Sequence, residues 1–183
     1  MNRNEIVREV VEAFRVLEAT MKQRGGDTKK EWTRQVLTTL CVLGRREGFT
    51  TWASGVANNC RDGGEWLWDC TWTKPDKFDW LDSVPLAAEC EWSGLSDVEE
   101  DFQKLLVARA AVRVMVYDAG LMGGRVAATT RMREWVGAYR DSEPHDTYLL
   151  VGYEYDEEAV TWQFRYSEIV ARGHGERPAL MHH

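Results

Sequence analysis

Apolar residues recur at helical spacing from the start of the chain. Ile6, Val7, Val10, Val11, Phe14 and Leu17 share one face, so residues 3–23 are expected to form an amphipathic helix. Gly25-Gly26-Asp27 ends it, and Asp27 or Thr28 can cap a second helix that carries Glu31 in its first turn. The buried stripe of that helix is Trp32, Val36, Leu40 and Leu43, with Gly44 or Gly48 closing it. A short strand is expected at Thr50–Val56, followed by a polar turn from Asn58 to Gly64.

The pattern then changes to a period of two. Trp66, Trp68, Cys70 and Trp72 alternate with Glu65, Leu67, Asp69 and Thr71, which predicts a strand with its tryptophans on one face and Asp69 on the other. Lys74-Pro75-Asp76-Lys77 breaks it, and a loop with Trp80 and Asp82 leads to a second strand, Val84–Trp92. That strand is apolar at its start and acidic at its end. Ser96 can cap a helix from Asp97 to about Ala111, and Val112–Tyr117 reads as a central strand. Gly120–Gly124 is expected to be flexible, 127–140 helical, and Tyr148–Tyr155 with Ala159–Tyr166 a hairpin. The tail from Gly173 is expected to be loose.

This order predicts an α/β chain: a central mixed β-sheet flanked by helices, with the N-terminal helix, residues 1–26, packed on a domain spanning 27–172. At 183 residues, 44% of them hydrophobic, the chain can bury a substantial core. Most of its nine tryptophans are expected inside. No window supplies the roughly 18 apolar residues of a membrane helix, and Met1–Thr20 lacks the apolar run of a signal peptide. Cys41, Cys60, Cys70 and Cys90 have no paired spacing, so they read as reduced, mostly buried thiols of a cytoplasmic protein. A net charge of −7 weighs against a protein that coats nucleic acid by neutralising phosphates. It leaves room for an acidic metal site with a local basic rim.

Candidate chemistry gathers at the acidic strand end. Glu89 and Glu91 are two apart, so both leave one face about 7 Å from each other, while Cys90 points into the opposite layer. Such carboxylates repel unless water solvates them or a cation lies between them. If the preceding strand pairs antiparallel, Asp69 comes beside Glu89, giving an all-oxygen donor set suited to magnesium or manganese. Against this stand plainer readings. The two glutamates could be the solvated face of an edge strand, and Asp69 could accept loop hydrogen bonds. Glu31 could be a first-turn carboxylate, and Lys104 a surface residue paired with Glu100 or Asp101. The histidines, His145, His174, His182 and His183, fall in loops or the tail.

The segments WLWDCTW around Asp69, LAAECEW around Glu89 and Glu91, and DFQKLL followed by VRVMVY resemble the PD-(D/E)XK nuclease superfamily over roughly residues 28–120. In that pattern an Asp lies in a strand hairpin and Glu-x-Lys ends the next strand, before a helix and an apolar strand. The resemblance implies a restriction-endonuclease-like fold and Mg²⁺- or Mn²⁺-dependent cleavage of nucleic acid. Asp69 and Glu89 would hold the ion with the Cys90 carbonyl, and Glu31 would complete its shell. Glu91 stands where the family has lysine. It would orient the attacking water or bind a second cation, and Lys104 would return the missing positive charge to the phosphate. Pro75-Asp76 is a literal Pro-Asp pair and a rival for the first aspartate, in a less rigid loop. The alternative function is a non-cleaving relative that acts through protein contacts, as a subunit, an inhibitor or an immunity factor. A homodimer built on the N-terminal helix and surplus aromatics is also compatible with the sequence.

Overall fold

The computed structural model describes residues 1–24, 28–158 and 160–172. Asp27 as a cap, the tail from Gly173 and three of the histidines, His174, His182 and His183, lie outside the described residues. Four helices, α1 (Arg3–Arg24), α2 (Lys29–Arg46), α3 (Leu95–Leu106) and α4 (Arg125–Ala138), accompany six strands. The strands are β1 (Thr50–Ala53), β2 (Cys70–Pro75), β3 (Leu81–Glu91), β4 (Val112–Asp118), β5 (Thr147–Asp156) and β6 (Thr161–Val170). They form one mixed sheet in the order β1-β2-β3-β4-β5-β6. β1–β2–β3 and β5–β6 run antiparallel, while β3, β4 and β5 are mutually parallel.

The two faces follow from strand alternation. Leu86, Ala88 and Cys90 of β3, with Val112, Val114 and Val116 of β4, pack against α1 and α2. Ala87 of β3, with Met115 and Tyr117 of β4, packs against α3 and α4. The α1 stripe, Ile6, Val10, Phe14, Leu17 and Met21, is buried inside this core, so the face offered above for dimerisation is already covered within the chain. Asn2 and Glu5 cap α1 reciprocally, each side chain accepting from the other's main-chain N–H at 3.0 and 2.7 Å. Thr28 Oγ1 accepts from the Glu31 N–H at 3.2 Å at the start of α2. α1 also guards the sheet edge, because Glu18 accepts the Phe164 N–H of β6 at 2.6 Å. Among the described residues no helix is long and apolar enough to cross a membrane.

Three expectations are corrected. The alternating tryptophans predict a strand from residue 65, yet β2 begins only at Cys70, and Leu67 has a φ of 70°. Tertiary bonds override the pattern: Thr71 Oγ1 donates to the Trp66 carbonyl at 3.0 Å, and the Trp68 indole N–H to the Lys104 carbonyl at 3.2 Å. The tryptophan row is therefore divided. Trp72 joins the α1/α2 core, Trp68 packs toward α3, and Trp66 leans on Trp52. Helix α3 starts after Gly94 with no side-chain cap from Ser96, and it stops at Leu106 instead of Ala111. The chain straightens there because buried Arg113 donates two hydrogen bonds to the Ala108 carbonyl, at 2.9 and 2.6 Å, and pairs with Asp146 at 3.0 Å. β2 also runs through Lys74 and Pro75, the residues read as breakers, at the irregular end of its ladder with β3.

Gly44, near the end of α2, lies against the sheet. A Cβ there would sit 2.7 Å from the Trp72 indole nitrogen and 2.8 Å from Thr51 Cγ2, both on fully buried residues. Alanine gains about 1 kcal/mol of helix propensity, while overpacking costs about 1–3 kcal/mol or more. Gly44→Ala is therefore expected to lower stability by about 1–2 kcal/mol. Urea denaturation checks this, and a stabilised variant would contradict the packing described.

Candidate functional site

The site forms where the β2–β3 ladder ends. Cys70 opposite Ala88 is the last pair of that ladder, so the next inward-facing donor of β3, the Cys90 N–H, has no β2 main-chain partner. The Asp69 carboxylate takes it at 3.1 Å, and the Asp69 N–H donates to Glu89 Oε2 at 3.3 Å. These two bonds set both carboxylates side by side. Helix α3 closes over them: Lys104 Nζ lies 2.7 Å from Asp101 Oδ1 and 3.9 Å from Glu89 Oε1. Glu89 is 3% exposed, and among the described residues its Oε1 has no hydrogen-bond partner.

Burial dominates the electrostatics. It pushes the Glu89 carboxyl from an ordinary 4.5 up to about 8; the charges of Asp69 and Asp101 add to the rise and Lys104 only partly offsets it. Asp69 is raised from 3.8 to about 6, again by burial, against the Cys90 N–H, with Asp101 and Glu65 adding repulsion. The two carboxyls interact, so the pair gives up its protons in two steps that belong to the pair as a whole. Burial also raises Asp101, opposed by its bond to Lys104, and that same bond holds the Lys104 ammonium above its usual range.

Of the residues singled out in the sequence, the structure brings Asp69, Glu89 and Lys104 together. It joins the Cys90 main chain to them through its N–H, while the Cys90 side chain is buried in the other layer. Glu91 leaves the same face as Glu89, but its carboxylate accepts the Trp92 N–H at 2.7 Å and the Ser93 N–H, closing the turn after β3. Glu31 lies on α2, across the sheet, where Arg34 and Gln35 bind its carboxylate. Asp76 sits at the opposite end of the β2–β3 hairpin and accepts the Phe78 and Trp80 N–H groups at 2.8 and 3.0 Å. Asp101 was not among the candidates. Its signal was its place beside Phe102 in the buried stripe Val98, Phe102, Leu105, which turns it inward with Lys104 one turn on.

The donor set suits a hard divalent cation. It is all oxygen, and the buried Glu89 Oε1 points into the cluster without a hydrogen bond. Among the described residues, no three carboxylate, imidazole or thiol groups converge closely enough to hold one ion as the side chains stand. No family model matches the chain, nor does any curated protein or solved structure.

The raised carboxyls make stability depend on pH in a fixed direction. Between its ordinary 4.5 and about 8, Glu89 holds more proton in the folded chain than in the unfolded one. Stability is then fully present below the lower value and is lost as pH rises through the upper one. The Tm of the metal-free protein is expected to fall between about pH 5 and about pH 8.5, and Glu89→Gln is expected to remove most of that slope. Thermal melts in chelator check this, and an equal slope in both proteins would contradict it.

Proposed function

We propose that this chain is a metal-dependent nuclease of the PD-(D/E)XK type, with a restriction-endonuclease-like fold, that hydrolyses phosphodiester bonds of nucleic acid. The observation that carries the reading is the pair of half-buried Asp69 and buried Glu89, Asp69 bonded through its N–H to Glu89 and through its carboxylate to the Cys90 N–H at the end of a strand hairpin, with Lys104 beside it. The order of elements supports it as well: hairpin β2–β3, helix α3, then apolar β4 parallel to β3.

In this reading Asp69, Glu89 and the Cys90 carbonyl hold Mg²⁺ or Mn²⁺. When bound, the ion neutralises phosphate charge and makes its water more acidic. The protein's own groups do the rest. Asp69 and Glu89 give up their protons to become ligands, so binding strengthens as pH rises through about 6 and about 8. Lys104 stays charged and half-exposed, where its ammonium can meet a phosphate oxygen from the open side. Glu91 remains bonded into its turn and adds negative field near Asp101.

A second reading, a non-cleaving relative working through protein contacts, draws on the net charge of −7 and on the exposed hairpin tip with Phe78 and Trp80. The deciding assay offers single- and double-stranded DNA and RNA in Mg²⁺, in Mn²⁺ and in chelator. Metal-dependent cleavage is expected. Asp69→Asn and Glu89→Gln should each reduce it about a hundredfold or more, the scale on which one electrostatic group acts. Full activity in either variant, or cleavage in chelator, would overturn the assignment. Metal uptake without cleavage of any substrate would favour the second reading.

A further inference from the structure

We propose that Asp101 of α3 is a third carboxylate of the same cation site, kept in the metal-free protein by Lys104. The proposal rests on the cation-binding part of the reading above and adds a residue that neither the sequence pattern nor the family resemblance supplies.

Asp101 is built inward. Its side chain is 13% exposed although it lies on a helix with solvent on its other side, because Val98, Phe102 and Leu105 seat that flank of α3 on the sheet. Taking a carboxylate partly out of water costs free energy, offset here by its bond to the Lys104 ammonium. Its charge acts on both Asp69 and Glu89, and that of Glu91 acts on it, so four carboxylates share one electrostatic neighbourhood. Against them stands the Lys104 ammonium, bonded to Asp101 at 2.7 Å but 3.9 Å from Glu89 Oε1, too far for a hydrogen bond.

Glu89 Oε1 is the independent sign that something else belongs there. It is an oxygen on a residue 3% exposed, without a hydrogen-bond donor among the described residues and with only the Lys104 ammonium near it, at 3.9 Å. A divalent cation takes six or more oxygens, and Asp69, Glu89 and one carbonyl leave several places open. The helical acid that the resemblance would nominate, Glu31, is bound by Arg34 and Gln35 in the opposite layer. Asp101 is the helical acid on the correct face. Its contact with a half-exposed lysine is the kind that is readily exchanged, since water solvates the released ammonium. Release from Lys104 frees the Asp101 carboxylate for the ion and the Lys104 ammonium for an incoming anion.

Calorimetric titration of the full chain with Mn²⁺ at about pH 8 tests this on wild type, Asp101→Asn and Glu31→Gln, with near-ultraviolet circular dichroism confirming the fold. Asp101→Asn is expected to weaken Mn²⁺ binding about tenfold or more, and Glu31→Gln to leave it within about twofold. Water-proton relaxation of bound Mn²⁺ should rise in Asp101→Asn as water replaces the lost carboxylate. Should that variant fail to fold, Asp101→Ser carries the same expectation. Wild-type affinity and relaxation in a folded Asp101 variant would overturn this proposal and leave the Asp69–Glu89 site standing. Absence of Mn²⁺ uptake by the wild type would overturn the cation reading itself, and Asp101 with it.

Discussion

The burial of the Glu89 carboxylate is the constraint around which this end of the molecule is organised. A carboxylate 3% exposed must be hydrogen-bonded, protonated or paired with a cation. The chain supplies a main-chain N–H to one oxygen; among the described residues the other has no hydrogen bond and only the Lys104 ammonium, at 3.9 Å. Asp69 beside it increases the repulsion, and the Lys104 ammonium compensates only in part. Burial, reinforced by the charges of Asp69 and Asp101, therefore holds the Glu89 carboxyl above its ordinary range, at about 8. In the proposed reading a divalent cation would take the place of the proton that burial favours there.

The fold brings these carboxyl groups together by ending one strand while its neighbours continue. β2 pairs with β3 only as far as Cys70 opposite Ala88, whereas β3 runs on alongside β4 through Glu91 opposite Tyr117. The exposed stretch of β3 is sealed by side chains instead of main chain, and Asp69 is the first of them. Helix α3 then crosses from β3 to β4 over the same face, as a parallel connection requires, and brings Asp101 and Lys104 above the gap. The apolar stripe that holds α3 to the sheet therefore also fixes the charges.

Much of this was legible in the sequence where one period ruled. The stripes of α1 and α2, the buried run of β4 and, among the described residues, the order of the four α-helices and six strands followed from spacing, as did the common face of Glu89 and Glu91. The rest depended on contacts distant in sequence. The period-two tryptophans gave way at 66–69 because Thr71 and Lys104 claim the polar groups of that loop. Glu91 turned into its own turn, and Glu31 found Arg34, through bonds that a strand or helix pattern does not encode. Asp101 lay on the flank of the buried stripe Val98, Phe102, Leu105, but an ordinary-looking pair with Lys104 masked that signal. Asp69 and Asp76, the two rival aspartates, occupy opposite ends of the β2–β3 hairpin, a separation that spacing alone does not show.

The most direct test of the account is an anomalous difference map from crystals soaked in Mn²⁺. One strong peak is expected, bonded to the Asp69 and Glu89 carboxylates, with Lys104 moved off Glu89. A fully occupied Mn²⁺ site elsewhere, or a map empty at Asp69 and Glu89 at a pH above about 8, would contradict it.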